Sequence, residues 1–421
     1  MPSKGRTGTG YDSRRFASRP AAVRSEWQIM RKAAQSVPPG LREPLARIYL
    51  AVRRWTALTR GASPGPPRPE VPSKPVRLLV GPANQAGQAW EWCRAAERTL
   101  PGVTAQALAV RRNALDYRAD YAVSSQQYRN PAWQREQERY VTTHFSHVLI
   151  EALRPILGNR YGRDCRGDIR VLARRGLSTA LVAHGSEIRL PSRHAARERW
   201  SPFRQGGDLV DRLEEQARRH EAIMRDFPGS IFVSTPDLLV DVRRAQWLPV
   251  AVEVDRWATT SPVLHRARPR VVHAPSNAWL KGTPVISSVA RRLEAAGLIE
   301  YQELDGVPHD QMPELVASAD IVVDQVLMGL YGVAACEAMA AGRVVIGFVG
   351  SQVRGHVETV TGRSLPVVEA DPATLGGVIA ELTADRNRAR GIAAEGIAFV
   401  REIHDGTRSG QVLDRWLRPG R

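Results

Sequence analysis

The stretch from Asp320 to Gly350, DIVVDQVLMGLYGVAACEAMAAGRVVIGFVG, limits the fold more than any other part of the chain. Ile321-Val322-Val323 is an apolar, β-branched run of the kind that fills a strand buried on both faces. A turn follows in which Gly329 and Gly332 flank Tyr331. Val333 to Ala341 then supply a helix of small residues, Gly342 stops it, and Val344-Val345-Ile346 open a second buried strand. Strand, turn, helix and strand within about thirty residues is one βαβ crossover. Glycines in the turn let backbone N–H groups approach a ligand, and the helix start presents a positive dipole end to it. The helix carries a single acid, Glu337, among alanines, and an acid so placed accepts hydrogen bonds from a ribose diol while the amides hold phosphate. The stretch reads as a nucleotide cradle.

The same alternation runs through the chain. Val76 to Val80 form a strand entering the turn Gly81-Pro82-Ala83-Asn84-Gln85-Ala86-Gly87, followed by a helix with Trp90 and Trp92. This turn is neither a G-x-G-x-x-G fingerprint nor a P-loop, since no Gly-Lys-Ser/Thr follows it. Further strand candidates are Val103 to Val110, Tyr121 to Val123, Val148 to Ile150, Ala180 to Ala183 and Ile231 to Val233, with a helix from about Asp208 to Phe227. After residues 255 to 270 the theme repeats: Val271-Val272, a turn through Lys281-Gly282-Thr283, a helix from Val285 to Ala296, and a strand from Ile299 to Leu304. The central unit follows, and a largely helical stretch runs on from Pro372. The fold class is α/β, with two Rossmann-like domains facing a cleft. The expected divisions are 1–75 for a basic helical N-terminal extension and proline-rich linker, 76–262 and 263–405 for the two domains, and 406–421 for a C-terminal helix. In the extension, Leu41 to Thr59 is amphipathic and basic. Such a helix suits peripheral membrane contact, and docking on the protein's own core fits equally well.

Composition narrows the function classes. The net charge of +17 attracts anionic partners. No helix-turn-helix, zinc finger or RNA-binding aromatic motif accompanies it, so specific nucleic-acid binding is not expected. Three cysteines, Cys93, Cys165 and Cys336, are too scattered for a disulfide framework or zinc site. There is no apolar run of membrane-spanning length and no apolar signal segment, so a cytoplasmic protein, able to sit peripherally at a membrane, is expected. No metal-binding pattern such as H-E-x-x-H is present, nor a G-x-S-x-G nucleophile turn.

The segment YGVAACEAMAAGRVVI resembles the donor-binding signature of GT-B fold glycosyltransferases, in particular the retaining, family-four-like group, which commonly reads E-g-f-G-x-x-x-x-E-A-M-A-x-G-x-P-V-V. GPANQAGQA, AHGSEIR, STPDLL with WLPVAVEVDRW, and HAPSNAWLKGT also look like parts of that group, so the resemblance covers nearly all of residues 76 to 417. It implies a donor site on the C-terminal domain, an acceptor site mainly on the N-terminal one, and a C-terminal helix crossing back. The second Glu of the signature, which binds ribose, matches Glu337. The first falls on Gly329, and the usual Pro is absent at Arg343-Val344. Asp324, at the end of the preceding strand, is the substitute candidate.

By that resemblance Lys281 matches the lysine that contacts diphosphate, with no metal and no cofactor beyond the nucleotide sugar itself. Cations and helix N-terminal amides suit a leaving diphosphate on physical grounds as well. His273, Ser276, Gly282, Gly329, Tyr331, Gly332 and Val333 complete the donor side. His184, with Gly185 and Ser186, sits at a strand's C-terminal end, where open α/β sheets place ligand contacts. There it orients a hydroxyl or relays a proton. Gly81, Asn84 and Gly87 line the acceptor side. An exposed helix-start lysine or a strand-end histidine bonded to backbone has the same sequence appearance. The expected activity is sugar transfer from a nucleoside diphosphate sugar to an unidentified acceptor (glycan, lipid-linked, small molecule or protein). The alternative is a degenerate, non-catalytic binder of sugar nucleotides or glycans.

Overall fold

The computed structural model describes residues 66–111 and 117–419. The expected amphipathic helix from Leu41 to Thr59 lies outside the described residues. The proline-rich stretch that follows is described from residue 66, and there it is docked. Tyr140 Oη donates to the Pro69 carbonyl at 2.7 Å, and the Arg68 guanidinium lies over the Tyr140 ring.

The first lobe is one parallel sheet with helices on both faces. Its strands and principal helices are β1 (Val76–Gly81), α1 (Gln88–Thr99), β2 (Val103–Arg111), β3 (Tyr121–Ser124), α2 (Pro131–His144), β4 (His147–Glu151), α3 (Arg166–Arg174), β5 (Ser178–Ala183), α4 (Pro191–Arg197), α5 (Asp208–Asp226), β6 (Ile231–Val233) and β7 (Gln246–Trp247). The sheet order is β3-β2-β1-β4-β5-β6-β7. Burial on both faces explains why its strands are apolar runs rather than alternating ones. In β1, Leu78, Leu79 and Val80 are all fully buried. Strand order reverses at β1, which pairs with both β2 and β4. The crevice beyond the carboxyl ends of β1 and β4 is therefore the place where such a sheet binds ligands.

The second lobe repeats the plan with β8 (Arg270–His273), α6 (Thr283–Ala295), β9 (Glu300–Glu303), β10 (Ile321–Val323), α7 (Val333–Ala340), β11 (Val344–Gly347) and β12 (Val368–Glu369), ordered β12-β11-β10-β8-β9 and parallel throughout. Its reversal lies at β8, between β9 and β10. Gly342 ends α7 with φ +66°, as a left-handed stop requires.

Two further helices, α8 (Arg386–Ile403) and α9 (Thr407–Leu417), finish the chain. Helix α9 packs on the first lobe: Leu413, Trp416 and Leu417 join its core, and Trp416 Nε1 donates to Ser178 Oγ at 2.9 Å. A Cβ at Gly410 would fall 2.0 Å from Thr99 Oγ1, so the crossing with α1 is close enough to demand glycine.

Candidate active site

Both sheets aim their reversal points at one cleft. On the second lobe, β8 leads to a short helical turn whose N-cap, Asn277, accepts from the Leu280 amide at 3.1 Å. Gly282 closes the turn at φ +79° and hands the chain to α6. This places Lys281 beside the end of β10, where its Nζ meets Asp324 Oδ1 at 2.7 Å. Both side chains are largely shielded, so each charge is balanced first by the other. From Asp324 the chain loops to Gly332, which is extended and caps α7. The opening amides of a helix have no intrahelical acceptor, so those of α7 face whatever lies beyond Gly332. Its Cβ position opens on free space.

Glu337, one turn into α7, is buried and receives His309 Nε2 at 2.7 Å. Burial pushes its carboxyl above the usual range, and His309, Arg256 and Lys281 pull it back. Lys281 is thus near enough for its charge to reach Glu337, although the two lie on separate elements.

On the first lobe the C-terminal ends of β1, β4 and β5 converge. Glu151 ends β4, fully buried, and holds two loops together. Its Oε2 accepts the Asn84 amide at 2.7 Å, and its Oε1 meets His184 Nε2 at 3.1 Å. His184 lies nearly parallel to Trp92 at a ring separation of 5.6 Å, and its amide donates to Glu187. With Nε2–H directed at a carboxylate, Nδ1 is left as the lone-pair nitrogen. The buried Arg189–Asp237 ion pair braces this loop from behind, with the guanidinium packed against Gly185.

The two lobes share a pocket lined by Gly87, Trp90, Glu91 and Tyr117 from the first, by Arg256 from the segment that joins them, and by His309, Val333 and Glu337 from the second. Tyr117 and His309 bring their rings to 4.7 Å across the cleft. Glu91 is pushed up to about 7, first by burial and then by the charge of Glu253, while Arg98 and Arg118 pull down. An acid raised in the folded state keeps a proton that the unfolded chain has already released. The stability this contributes is present at low pH and is lost as pH rises from about 4.5 through about 7. Once ionised, Glu91 also repels an anionic ligand. Affinity for a nucleotide sugar, whose esterified diphosphate does not titrate near neutrality, should fall as pH rises through 7. A Glu91→Gln variant should flatten that profile, and calorimetric titration between about pH 5 and pH 8 reads it.

Four sequence expectations change. His273 is not a donor contact: it is fully buried, with Nδ1 at 2.8 Å from the Val323 carbonyl and Nε2 at 2.8 Å from Thr283 Oγ1. Burial lowers its pKa, and it ties β8 to β10 and α6 as a neutral ring. The Tyr331 side chain is buried too, with its hydroxyl 3.2 Å from His404 Nε2, so only its backbone remains for a ligand. Asn84 spends its side chain on the protein itself, donating to the Arg118 carbonyl in the chain before β3 and accepting from the Trp90 amide in α1. Gly81 is a packing glycine, since a Cβ there would fall 2.7 Å from the Leu108 carbonyl. Ser276 is exposed in the turn before Lys281, Ser186 lies half-buried after His184, and Gly329 packs against Glu198. Glu151, Glu91, Tyr117, Arg256 and His309 were not anticipated. Of these only Glu151 had a sequence signal, as the acid closing the apolar strand HVLIE.

No protein-family model matches the chain, and no curated protein does. Solved structures do match. Sucrose-phosphate synthase from Thermosynechococcus elongatus superimposes with a TM-score of 0.54 at 11% identity, over 81% of this chain and 98% of that one. Anabaena HepE, solved with UDP and glucose, gives 0.52 at 12% identity over 81% and 98%. A glycosyltransferase from Rickettsia africae gives 0.52 at 12% over 83% and 100%. The fold is GT-B. Two Rossmann-like lobes share a pocket that Glu337 lines, while the buried His184–Glu151 pair and the Lys281–Asp324 pair lie outside its lining. Among the described residues no cluster of His, Cys, Asp or Glu has a metal-holding arrangement, and no helix is long and apolar enough to cross a membrane.

Proposed function

We propose that the chain is a glycosyltransferase that moves a sugar from a nucleoside diphosphate sugar to an acceptor, without a metal and with retention of anomeric configuration. The observation that carries this reading is the shared pocket, in which the start of α7 and Glu337 from one lobe meet the Gly87 loop of the other. In the proposal, Lys281 and the amides of α7 take the diphosphate, Gly282 and Ser276 shape the approach to it, and Glu337 takes the ribose hydroxyls. Asp324 sets the position of the lysine, and His184 faces the reacting end of the donor. HepE was solved with UDP and glucose, which supports a donor of this kind. The acceptor class stays open between glycan, lipid-linked, small-molecule and protein acceptors. The peripheral membrane contact proposed for the N-terminal helix lies outside the described residues.

A thermal-shift screen of nucleotide sugars tests the reading, since a ligand that binds only the native state raises its apparent stability. Glu337→Ala should weaken the best ligand about tenfold in calorimetry, the loss expected for hydrogen bonds to a charged group. No shift with any nucleotide sugar sinks the proposal.

One observation favours the non-catalytic alternative: Lys281 and Glu337 each already have a protein partner, and position 329 carries no side chain. Binding without either transfer to a panel of acceptors or hydrolysis of the donor would select that reading.

A further inference from the structure

We infer that Glu198, carried across from the first lobe, is the carboxylate that grips the hydroxyls of the transferred sugar; this rests on the nucleotide-sugar reading above. Between β5 and β6 the chain leaves the first sheet through α4 and the turn Pro202–Gln205 and lies down on the second lobe. It is held there at three points. His194 Nε2 meets the Met328 carbonyl at 3.2 Å, Trp200 Nε1 donates to Asp371 Oδ2 at 3.0 Å, and Phe203 packs edge-on against Trp279 at 5.5 Å. His194 stays neutral because burial lowers its pKa to about 4, so the first of these contacts does not depend on a titrating charge near neutrality.

This clamp carries the Glu198 carboxylate onto the middle of the loop that begins at Asp324 and ends at α7. A Cβ at Gly329 would lie 3.4 Å from both Cδ and Oε1 of Glu198, and one at Gly350 would lie 3.9 Å from Oε1. Gly329 stands at φ +67°, which also favours glycine. The second lobe thus presents two side-chain-free positions where the first lobe inserts an acid.

The inserted acid is half-satisfied. Oε1 receives Arg197 Nε at 2.9 Å, while Oε2 has no hydrogen-bond donor among the described residues, and the side chain is only 14% exposed. A carboxylate oxygen with no protein donor is free to accept hydrogen bonds from a ligand's neutral donors. Sugar hydroxyls are such donors, whereas a diphosphate offers only acceptors and would be repelled. The loop therefore divides the ligand: cation and helix amides at its two ends for the anionic part, an acid at its middle for the polyol. Because the acid comes from the opposite lobe, sugar recognition depends on both lobes being in place.

The test is calorimetric titration of the full chain and of Glu198→Gln and Glu198→Ala, with UDP, GDP and ADP and with the corresponding glucose conjugates. Glu198→Gln keeps the volume, so it reports on charge even if the alanine variant folds poorly. For the base the wild type prefers, free nucleoside diphosphate should bind within about twofold of wild type, and the glucose conjugate about tenfold more weakly or worse. Equal loss for both ligands would make Glu198 a part of the interlobe clamp only, and no loss for either would remove it from the site; each result overturns the inference. A wild-type chain that binds none of the six ligands would instead overturn the nucleotide-sugar reading, and this inference with it.

Discussion

Lys281→Ala is expected to slow sugar transfer about 10²- to 10³-fold, the loss typical when a preorganised group that meets developing charge is removed. Two effects act in the same direction. The diphosphate loses its cation, and Asp324, whose side chain is only 5% exposed, loses its counter-charge. A buried carboxylate left unpaired beside the pocket then opposes the anionic ligand, so the single variant loses more than one contact. That gives the pair a signature. Asp324→Asn in the Lys281→Ala background should recover part of the nucleoside diphosphate affinity, because it removes the orphaned charge, and the two substitutions should be strongly non-additive. Initial rates with the preferred donor, together with calorimetry on all three variants, read both parts. Additive losses would mean that Lys281 and Asp324 act independently and not as a coupled pair. Unchanged affinity in both Lys281→Ala and Glu337→Ala would refute the donor-site assignment itself.

The Lys281–Asp324 pair also shows how far a sequence can be read. Each residue could be found singly, because each follows a strand that is legible as an apolar run, and the C-terminal ends of strands are where α/β sheets keep ligand contacts. Their pairing could not, because it depends on β8 lying next to β10 and skipping β9 in between. Local periodicity specified most of the buried strands from Val76 onward and the α7 unit with its glycine stop, but not helices such as α2, α3 and α4. Through-space relations stayed hidden. His309 comes from a loop with no pattern of its own, yet it occupies the acid that the sequence singled out. Glu198 belongs to a segment of one lobe that rests on a glycine of the other. His273 failed for the converse reason: its position at a strand end is right for a ligand contact, but Thr283 and the Val323 carbonyl consume both ring nitrogens. Sequence shows which residues sit at the mouth of a sheet, and packing decides which of them turn outward.

Glu151→Gln should reduce kcat by about 10²- to 10⁴-fold while leaving nucleoside diphosphate affinity close to wild type, the range associated with losing a positioned proton-transfer group. The reason is a matter of which atoms must face which. The Asn84 backbone amide can only donate, so at 2.7 Å it requires an oxygen from residue 151. In the glutamine variant that oxygen is used there, and the remaining NH₂ group is directed at His184 Nε2. An NH₂ group cannot accept, so Nε2 must become the lone-pair nitrogen and the proton moves to Nδ1. His184 then has the wrong tautomer to take a proton from a hydroxyl at Nδ1, although its ring is still held against Trp92. The second lobe is untouched, so the diphosphate should still bind. Glu151→Ala is the harsher comparison, since it leaves the buried Asn84 amide without its acceptor and should lower thermal stability as well as rate. A Glu151→Gln enzyme that turns over at the wild-type rate would show that His184 does not act through Nδ1, and its place beside the cleft would then be that of a buttress for the Gly87 loop.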